Sequence, residues 1–133
     1  MATIIELKEI KSLLQKVDVV SAMAEGFVQY SNGNTVVPPV GELLFENPPG
    51  DVHIKYGYIK NDEFYVIKIA SGFYENKKLG LPSSQGMMLL FNQKTGQTVS
   101  VLLDEGYLTD VRTAAAGAVA AKYFAPKKLR PLA

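Results

Sequence analysis

The chain has 133 residues, 14 Lys and Arg against 13 Asp and Glu, and 47% hydrophobic residues, which predicts one folded domain and excludes a disordered tail. The net charge is +1 and no basic block is longer than a Lys-Lys pair, so we expect neither a nucleic-acid partner nor a polybasic membrane anchor. The absence of cysteine excludes disulfides and thiolate chemistry. The one histidine, His53, has no partners at metal-ligand spacing, so no metal site is predicted.

The amino-terminal nine residues lack the basic region and the long apolar core of a signal peptide. The longest apolar stretch, 114–121, is far shorter than the ~20 residues that a membrane-spanning helix needs. We therefore predict a cytoplasmic protein that does not enter a membrane.

The apolar spacing predicts two helical segments over residues 5–31, the second starting at an Asp18 cap, and a break at 31–34. A period of two then predicts five strands: Gly41–Glu46, Val52–Lys60, Phe64–Ser71, Met87–Asn92 and Thr98–Leu103. An alanine-rich helix is predicted from Thr109 to Phe124, with Pro126 marking its end.

This order of elements predicts an α+β fold for residues 1–133, with N-terminal helices, an antiparallel-rich sheet of five to six strands and a C-terminal alanine-rich helix. Turn sequences at 47–50, 61–62 and 94–96 favour antiparallel hairpins. No Gly-x-Gly-x-x-Gly sequence occurs, so no Rossmann domain is predicted in these residues.

Lys68 lies at the centre of a strand that is apolar on both faces. A buried ammonium without a partner is costly. Lys68 therefore either meets a carboxylate of the protein, or points into a pocket for an anionic ligand, or extends to solvent from an edge strand.

The length of the turn after Lys60 decides whether Lys55 shares a face with Lys68. A two-residue turn at Asn61-Asp62 places Lys55 directly opposite Lys68, where the two ammonium groups repel unless an anion bridges them. That register favours a carboxylate clamp. A three-residue turn moves Lys55 to the other face, where it is a solvated strand residue.

Two further segments carry groups that suit anions. The loop Leu81–Gly86 has two hydroxyls and an amide that can bind phosphate or ribose oxygens, a composition shared with ordinary polar loops. Arg112 lies near the start of a helix, where the helix dipole disfavours a cation. It therefore either pairs with Asp104, Glu105 or Asp110 or binds a phosphate or carboxylate ligand.

Taken together, these stretches resemble the ornithine cyclodeaminase/mu-crystallin family. The resemblance covers nearly the whole chain, and the motifs occur in the family's order. The matching stretches are Val37–Pro39, Val66–Lys68, Gly72–Tyr74, Gly80–Gln85, Met88–Phe91, Thr95–Gly96, Leu108–Ala115 and Ala120–Phe124.

The resemblance implies an NAD- or NADP-dependent, homodimeric enzyme of amino-acid metabolism that carries out cyclodeamination, amino-acid dehydrogenation or reduction of a cyclic imine. It implies that Lys68 binds the carboxylate of the small amino acid or imine substrate, and that Arg112 contacts the cofactor phosphates. The full set of cofactor contacts that it implies is Ser83, Ser84, Gln85, Arg112 and Thr113.

The chain departs from the family pattern at two places. Many relatives complete the carboxylate clamp with a basic residue after the Pro-Pro step or at the start of the next strand, where this chain has Val40-Gly41 and Val52-His53. We expect Lys55 or His53 to replace it. After residues 126–129 the family enters its first Rossmann strand, and here the sequence continues only to Ala133.

From this second departure we expect a truncated ornithine cyclodeaminase-like protein that retains part of the substrate pocket and the dimer surface and is inactive alone. Its catalytic residue is not assigned, because the family's acidic residue follows the matched part. One alternative is a stand-alone small-molecule-binding or self-associating module without catalysis. Another is a structural dimer in which Lys68 and Arg112 pair with acidic neighbours.

Overall fold

The computed structural model describes residues 1–126, which form three helices around one seven-stranded sheet. In chain order the elements are β1 (Thr3–Glu6), α1 (Leu7–Leu14), α2 (Val19–Ser31), β2 (Thr35–Val36), β3 (Gly41–Glu46), β4 (Pro49–Ile59), β5 (Phe64–Phe73), β6 (Ser84–Asn92), β7 (Thr98–Leu103) and α3 (Tyr107–Phe124). A 3-10 helix, Tyr74–Leu79, connects β5 to β6.

The strand order confirms the predicted fold class. Strands run in the order β1-β7-β6-β5-β4-β2, and β3 pairs with the part of β4 that β2 leaves free. All neighbours are antiparallel except β1, which lies parallel to β7. The sheet therefore has seven strands rather than the predicted five to six, because β1 and the two-residue β2 were not expected.

Several predicted boundaries are wrong, and tertiary contacts explain them. A helix was expected to begin at residue 5, but Thr3–Glu6 form β1, because the β-branched residues 3–5 favour a strand and pair along β7. β6 begins at Ser84 rather than Met87, so Ser84 and Gln85 belong to the sheet. α3 begins at Tyr107, two residues earlier than predicted, and the predicted Asp18 cap is confirmed by a 3.0 Å bond from the Ser21 N–H. The expected handover to a further domain at residues 127–133 lies outside the described residues.

The sheet has two unlike faces. One face, called here the helix face, carries Lys55, Lys68 and every second residue of the strands counted from them. The helices α2 and α3 lie over this face. Gly57, Val66 and Leu90 line a cavity together with α2, and Met88 lines another together with α2 and α3. The other face, called here the open face, carries the residues in between. There a row of apolar cross-strand neighbours spans five adjacent strands, namely Tyr56, Ile67, Leu89, Val101 and Ile4.

The start of α3 lies directly against the helix face at Gly86. A Cβ at Gly86 would lie 2.8 Å from the Ile69 carbonyl oxygen, and 3.6 Å from the Gly106 Cα that precedes α3. Gly106 itself has φ of 84°, a conformation that glycine adopts without strain. These two glycines therefore set how closely α3 approaches β6.

We expect Gly86→Ala to lower the free energy of unfolding by about 1–3 kcal/mol, because the added methyl must displace backbone rather than a flexible side chain. Gly26→Ala in α2 is the matched control: nothing lies within 4 Å of its added Cβ, so helix propensity raises stability by up to about 1 kcal/mol. Urea titrations followed by circular dichroism measure both changes. Wild-type stability in Gly86→Ala would contradict this close approach.

Candidate functional site

Lys55 and Lys68 are direct cross-strand neighbours on β4 and β5. This is the register predicted for a two-residue turn at Asn61-Asp62. The observed turn has Lys60 and Asn61 at its centre instead: the Asp62 N–H donates to the Ile59 carbonyl oxygen at 3.2 Å, and Asn61 has φ of 65°. β5 lies between β4 and β6, so the alternative of a lysine extending from an edge strand is wrong. Two ammonium groups therefore share the helix face at the middle of the sheet.

The half-buried Lys68 is held by a hydroxyl rather than by a carboxylate. Its Nζ donates to Thr109 Oγ1 of α3 at 3.3 Å, and no carboxylate of residues 1–126 lies within 4.0 Å of it. Burial lowers the pKa of Lys68, and the charges of Arg112 and Lys55 lower it further, while Asp104 opposes them. The ammonium thus has no carboxylate in direct contact, a state that a bound anion would relieve.

Arg112 completes the cation cluster, the name used here for Lys55, Lys68 and Arg112. It lies one turn after Thr109 on α3. None of its three expected acidic partners lies within 4.0 Å of the guanidinium, and the same holds for every other carboxylate in the part of the chain described. The ion-pair alternative for Arg112 is therefore not what the structure shows.

The sheet next to the cation cluster carries unusually small side chains. Ala70 and Gly86 are cross-strand neighbours one step along from Lys68, and Gly72 and Ser84 are the next pair. The helix face therefore has a low floor between Lys68 and the start of α3. The Gly106 Cα lies over this floor, 3.6 Å from where a Cβ of Gly86 would be, so α3 begins close to the sheet beside Lys68.

His53 lies on the same face as Lys55 but already has acidic partners. Its Nε2 is 3.0 Å from Glu42 Oε1, and its Nδ1 is 3.5 Å from Asp51 Oδ1. The Tyr74 hydroxyl donates to Asp51 Oδ2 at 3.0 Å, and this bond raises the pKa of Tyr74. Of the two expected replacements for the family's basic residue, Lys55 is the one whose charge acts on Lys68.

The residues that were expected to contact a cofactor are not all placed together: some lie near the start of α3, and others point away or are already hydrogen-bonded. Ser84 lies next to the start of α3: its Oγ is 2.9 Å from where a Cβ of Gly106 would be. The neighbouring Ser83 Oγ is buried and has no hydrogen-bond partner in residues 1–126. Gln85, by strand alternation, points to the open face instead. Thr113 Oγ1 donates to the Thr109 carbonyl oxygen at 2.8 Å, so that hydroxyl is bonded within its own helix.

Two residues of this site were not predicted as site residues. Thr109 binds Lys68, and Asp104, which is 1% exposed, accepts a 2.8 Å bond from the Leu108 N–H. The signal for Asp104 was available: an aspartate just before a predicted helix is a typical capping residue. The contact between Thr109 and Lys68 joins residues 41 positions apart, which no local pattern reveals.

Two apolar cavities lie away from the cation cluster. One of about 710 Å³ lies between α2 and the sheet at Phe27 and Val66, and one of about 730 Å³ lies between α2 and α3 at Val119. Neither is lined by a basic side chain, so neither suits an anion.

Within residues 1–126, no three His, Asp or Glu side chains lie close enough to share a metal ion. No helix in the same residues has the length and apolarity to cross a membrane.

Comparison with known proteins agrees with the resemblance. The model of the ornithine cyclodeaminase/mu-crystallin family matches residues 1–133. A Sinorhizobium fredii protein named an uncharacterized cyclodeaminase is 45% identical over 119 residues, which cover 89% of this chain and 35% of that protein. The chain spans about a third of the length of the curated relatives that it matches.

Two solved structures share the fold. One is Thermococcus litoralis Δ1-pyrroline-2-carboxylate reductase in complex with NADH and L-proline, which is 30% identical with a TM-score of 0.87 over 94% of this chain and 38% of that chain. The other is an archaeal alanine dehydrogenase dimer with bound NAD, which is 30% identical with a TM-score of 0.86 over 96% of this chain and 38% of that chain.

Proposed function

Because this chain belongs to the ornithine cyclodeaminase/mu-crystallin family, we propose that it supplies the substrate-binding and dimerisation part of an NAD(P)-dependent enzyme acting on a small amino acid or cyclic imine. The observation that carries the proposal is the cation cluster, whose Lys68 and Arg112 have no carboxylate of residues 1–126 within 4.0 Å. Since the chain spans about a third of its relatives, the activity of a whole enzyme is part of this proposal.

The substrate carboxylate is the anion that best fits between Lys55 and Lys68. Each ammonium donates to a carboxylate oxygen, and such charge-assisted bonds are the strong class of hydrogen bond. The bound anion offsets the repulsion between the two cations and raises the pKa of Lys68.

The residues at the start of α3 fit a dinucleotide phosphate. Arg112 supplies a cation that has no carboxylate of residues 1–126 within 4.0 Å, and the Ser83 hydroxyl lacks a partner in the described residues. We assign the phosphate contacts to Arg112, Ser83 and Ser84. When bound, the nicotinamide supplies or accepts a hydride; the chain's own residues orient the substrate carboxylate beside it.

We further propose a cytoplasmic homodimer in which the open face of the sheet forms the interface. The archaeal alanine dehydrogenase with the same fold is a dimer, and the open face presents a continuous apolar row ending at Ile4, which is 62% exposed. Residues 1–133 assayed alone are expected to bind the amino acid without oxidising it, since hydride transfer needs the nicotinamide held against the substrate carbon.

The proposed carboxylate site is tested by titrating the ¹⁵N-labelled chain with L-proline and, as the matched control, with L-prolinamide, which lacks the carboxylate. We expect L-proline to shift the amide signals of Lys68, Thr109 and Arg112 in a saturable way. L-prolinamide should bind at least about tenfold more weakly, because the charge-assisted bonds are lost. Equal binding of the two compounds, or no binding of either, would overturn the assignment.

A further inference from the structure

Asp104 follows β7 and lies on the same face of the sheet as Lys68. By alternation it shares that face with Leu102, whose cross-strand neighbour Met88 is in turn the neighbour of Lys68. One step along the sheet stand Ala70 and Gly86, which carry a methyl group and a hydrogen. No large side chain of β5 or β6 therefore separates Asp104 from the Lys68 ammonium on this diagonal.

The two carboxylate oxygens of Asp104 have different surroundings. Oδ2 accepts the Leu108 N–H at 2.8 Å, and the backbone carbonyl oxygen accepts the Tyr107 N–H at 2.9 Å. Gly106, the residue before α3, provides no side-chain cap, so Asp104 is what fixes the first turn. Oδ1 is buried and has no hydrogen-bond partner within residues 1–126. A capping bond alone does not account for this second oxygen.

An enclosed carboxylate oxygen without a donor is costly unless nearby positive charge compensates it. The charged groups that face Lys68 are Lys55 from β4, Arg112 from α3, and Asp104 from the turn before α3. Asp104 is the one negative charge among them in the described residues, and it raises the pKa of Lys68 while the other two lower it. Its field is effective because the carboxylate is 1% exposed and poorly screened by water.

We propose that Asp104 is a positioning residue of the cation cluster, in which one carboxylate oxygen fixes the turn that carries Thr109 and Arg112 and the other supplies the buried negative charge that keeps Lys68 an ammonium. This inference rests on the proposed carboxylate-binding function. It adds a residue that acts through Lys68 and touches no ligand itself, because its side chain is enclosed.

Asp104→Asn separates the charge from the cap, because the amide oxygen still accepts the Leu108 N–H. The readout is the titration of the Lys68 ammonium, followed by NMR of ¹³C-labelled lysine without any ligand. We expect the midpoint to move to lower pH in Asp104→Asn, while the Leu108 amide loses no more than about tenfold in protection from hydrogen exchange. Asp110→Asn is the matched control: this carboxylate is on α3, the helix that Asp104 precedes, but it is exposed, and its removal should move the midpoint less.

An unchanged or raised Lys68 midpoint in Asp104→Asn would overturn the proposal. Asp104→Ser, which keeps a capping oxygen in a smaller side chain, repeats the measurement if the asparagine variant does not fold. Failure of both variants to give a native spectrum would make the role of Asp104 purely structural and overturn the proposal too. Because the titration uses no ligand, it decides this inference even where L-proline fails to bind and the proposed function falls.

With L-proline added, the pH at which binding is half lost should fall in Asp104→Asn in parallel with the Lys68 midpoint. A general loss of stability would weaken binding at every pH without moving this midpoint, so the profile distinguishes positioning from folding. An Asp104→Asn variant with a lowered Lys68 midpoint and the wild-type binding profile would show that Lys68 is not the carboxylate ligand, which overturns the link to the proposed function.

Discussion

Lys68→Met is expected to weaken the binding of an amino-acid carboxylate by about 10- to 100-fold and, at neutral pH, to raise the free energy of unfolding. The first effect follows from the loss of a charge-assisted hydrogen bond, worth about 1.5–3 kcal/mol. The second follows from the net effect on Lys68: methionine fills the same space but removes an ammonium that burial, Arg112 and Lys55 destabilise more than Asp104 stabilises it.

The sign of the pH dependence follows from the direction of the shift. The pKa of Lys68 in the folded protein is below the ordinary lysine value of 10.5, so folding disfavours its protonated form. That cost is fully present below the folded pKa and disappears as the pH rises toward the unfolded pKa. The stability advantage of Lys68→Met should therefore be largest near neutral pH and shrink in alkaline solution.

Calorimetric titration with L-proline and urea unfolding at several pH values measure the two effects. Lys77→Met, which removes an exposed ammonium from the 3-10 helix, is the control for net charge and should change neither quantity appreciably. Wild-type affinity in Lys68→Met would contradict the carboxylate site, and a loss of stability at neutral pH would contradict the net destabilisation of the ammonium.

Local patterns predicted most of the fold but not its edges. β3 and β7 have the predicted bounds, since alternation and turn residues are properties of neighbouring positions. β1 was missed because four residues next to a helix carry too little pattern, and only their pairing with β7 makes them a strand. β4 begins at Pro49 rather than at the predicted Val52, because its first residues pair with β3. The sequence of β4 alone gives no sign of this pairing.

The candidate site likewise has a part that local sequence patterns predicted and a part that only tertiary contacts determine. The pairing of Lys55 with Lys68 was predictable because the number of residues between two hairpin strands fixes their register. The approach of α3, which brings Thr109 and Arg112 to these lysines, depends on Gly86 and Gly106, whose meaning appears only when helix and sheet are in contact. The enclosed carboxylate of Asp104 is a consequence of that same contact.

Ile67→Lys on β5 is expected to convert the proposed homodimer into a monomer. Ile67 lies at the centre of the open face, between Tyr56 on β4 and Leu89 on β6. Its neighbour Tyr56 is accessible, being 42% exposed. Monomers rarely leave a large contiguous apolar surface uncovered, and such a surface typically marks an interface.

In a two-fold interface both partners use the same surface. A lysine at this position would therefore place an unpaired charge from each partner in the middle of the interface. Burying such a charge costs several kcal/mol, and each 1.4 kcal/mol changes the dissociation constant tenfold. We therefore expect dimerisation to weaken by at least about 100-fold. In the monomer the lysine can extend to water along the open face, so the fold should persist.

Analytical ultracentrifugation of the wild type and Ile67→Lys over a range of protein concentrations measures the dissociation constant directly. Leu79→Lys is the matched control, because it introduces the same charge at an exposed leucine of the 3-10 helix. A monomeric wild type at tens of micromolar, or a dimer that survives Ile67→Lys, would contradict the interface. Retained L-proline binding by monomeric Ile67→Lys would show further that the cation cluster is complete within one chain, since Lys68 faces the opposite side of the sheet from its neighbour Ile67.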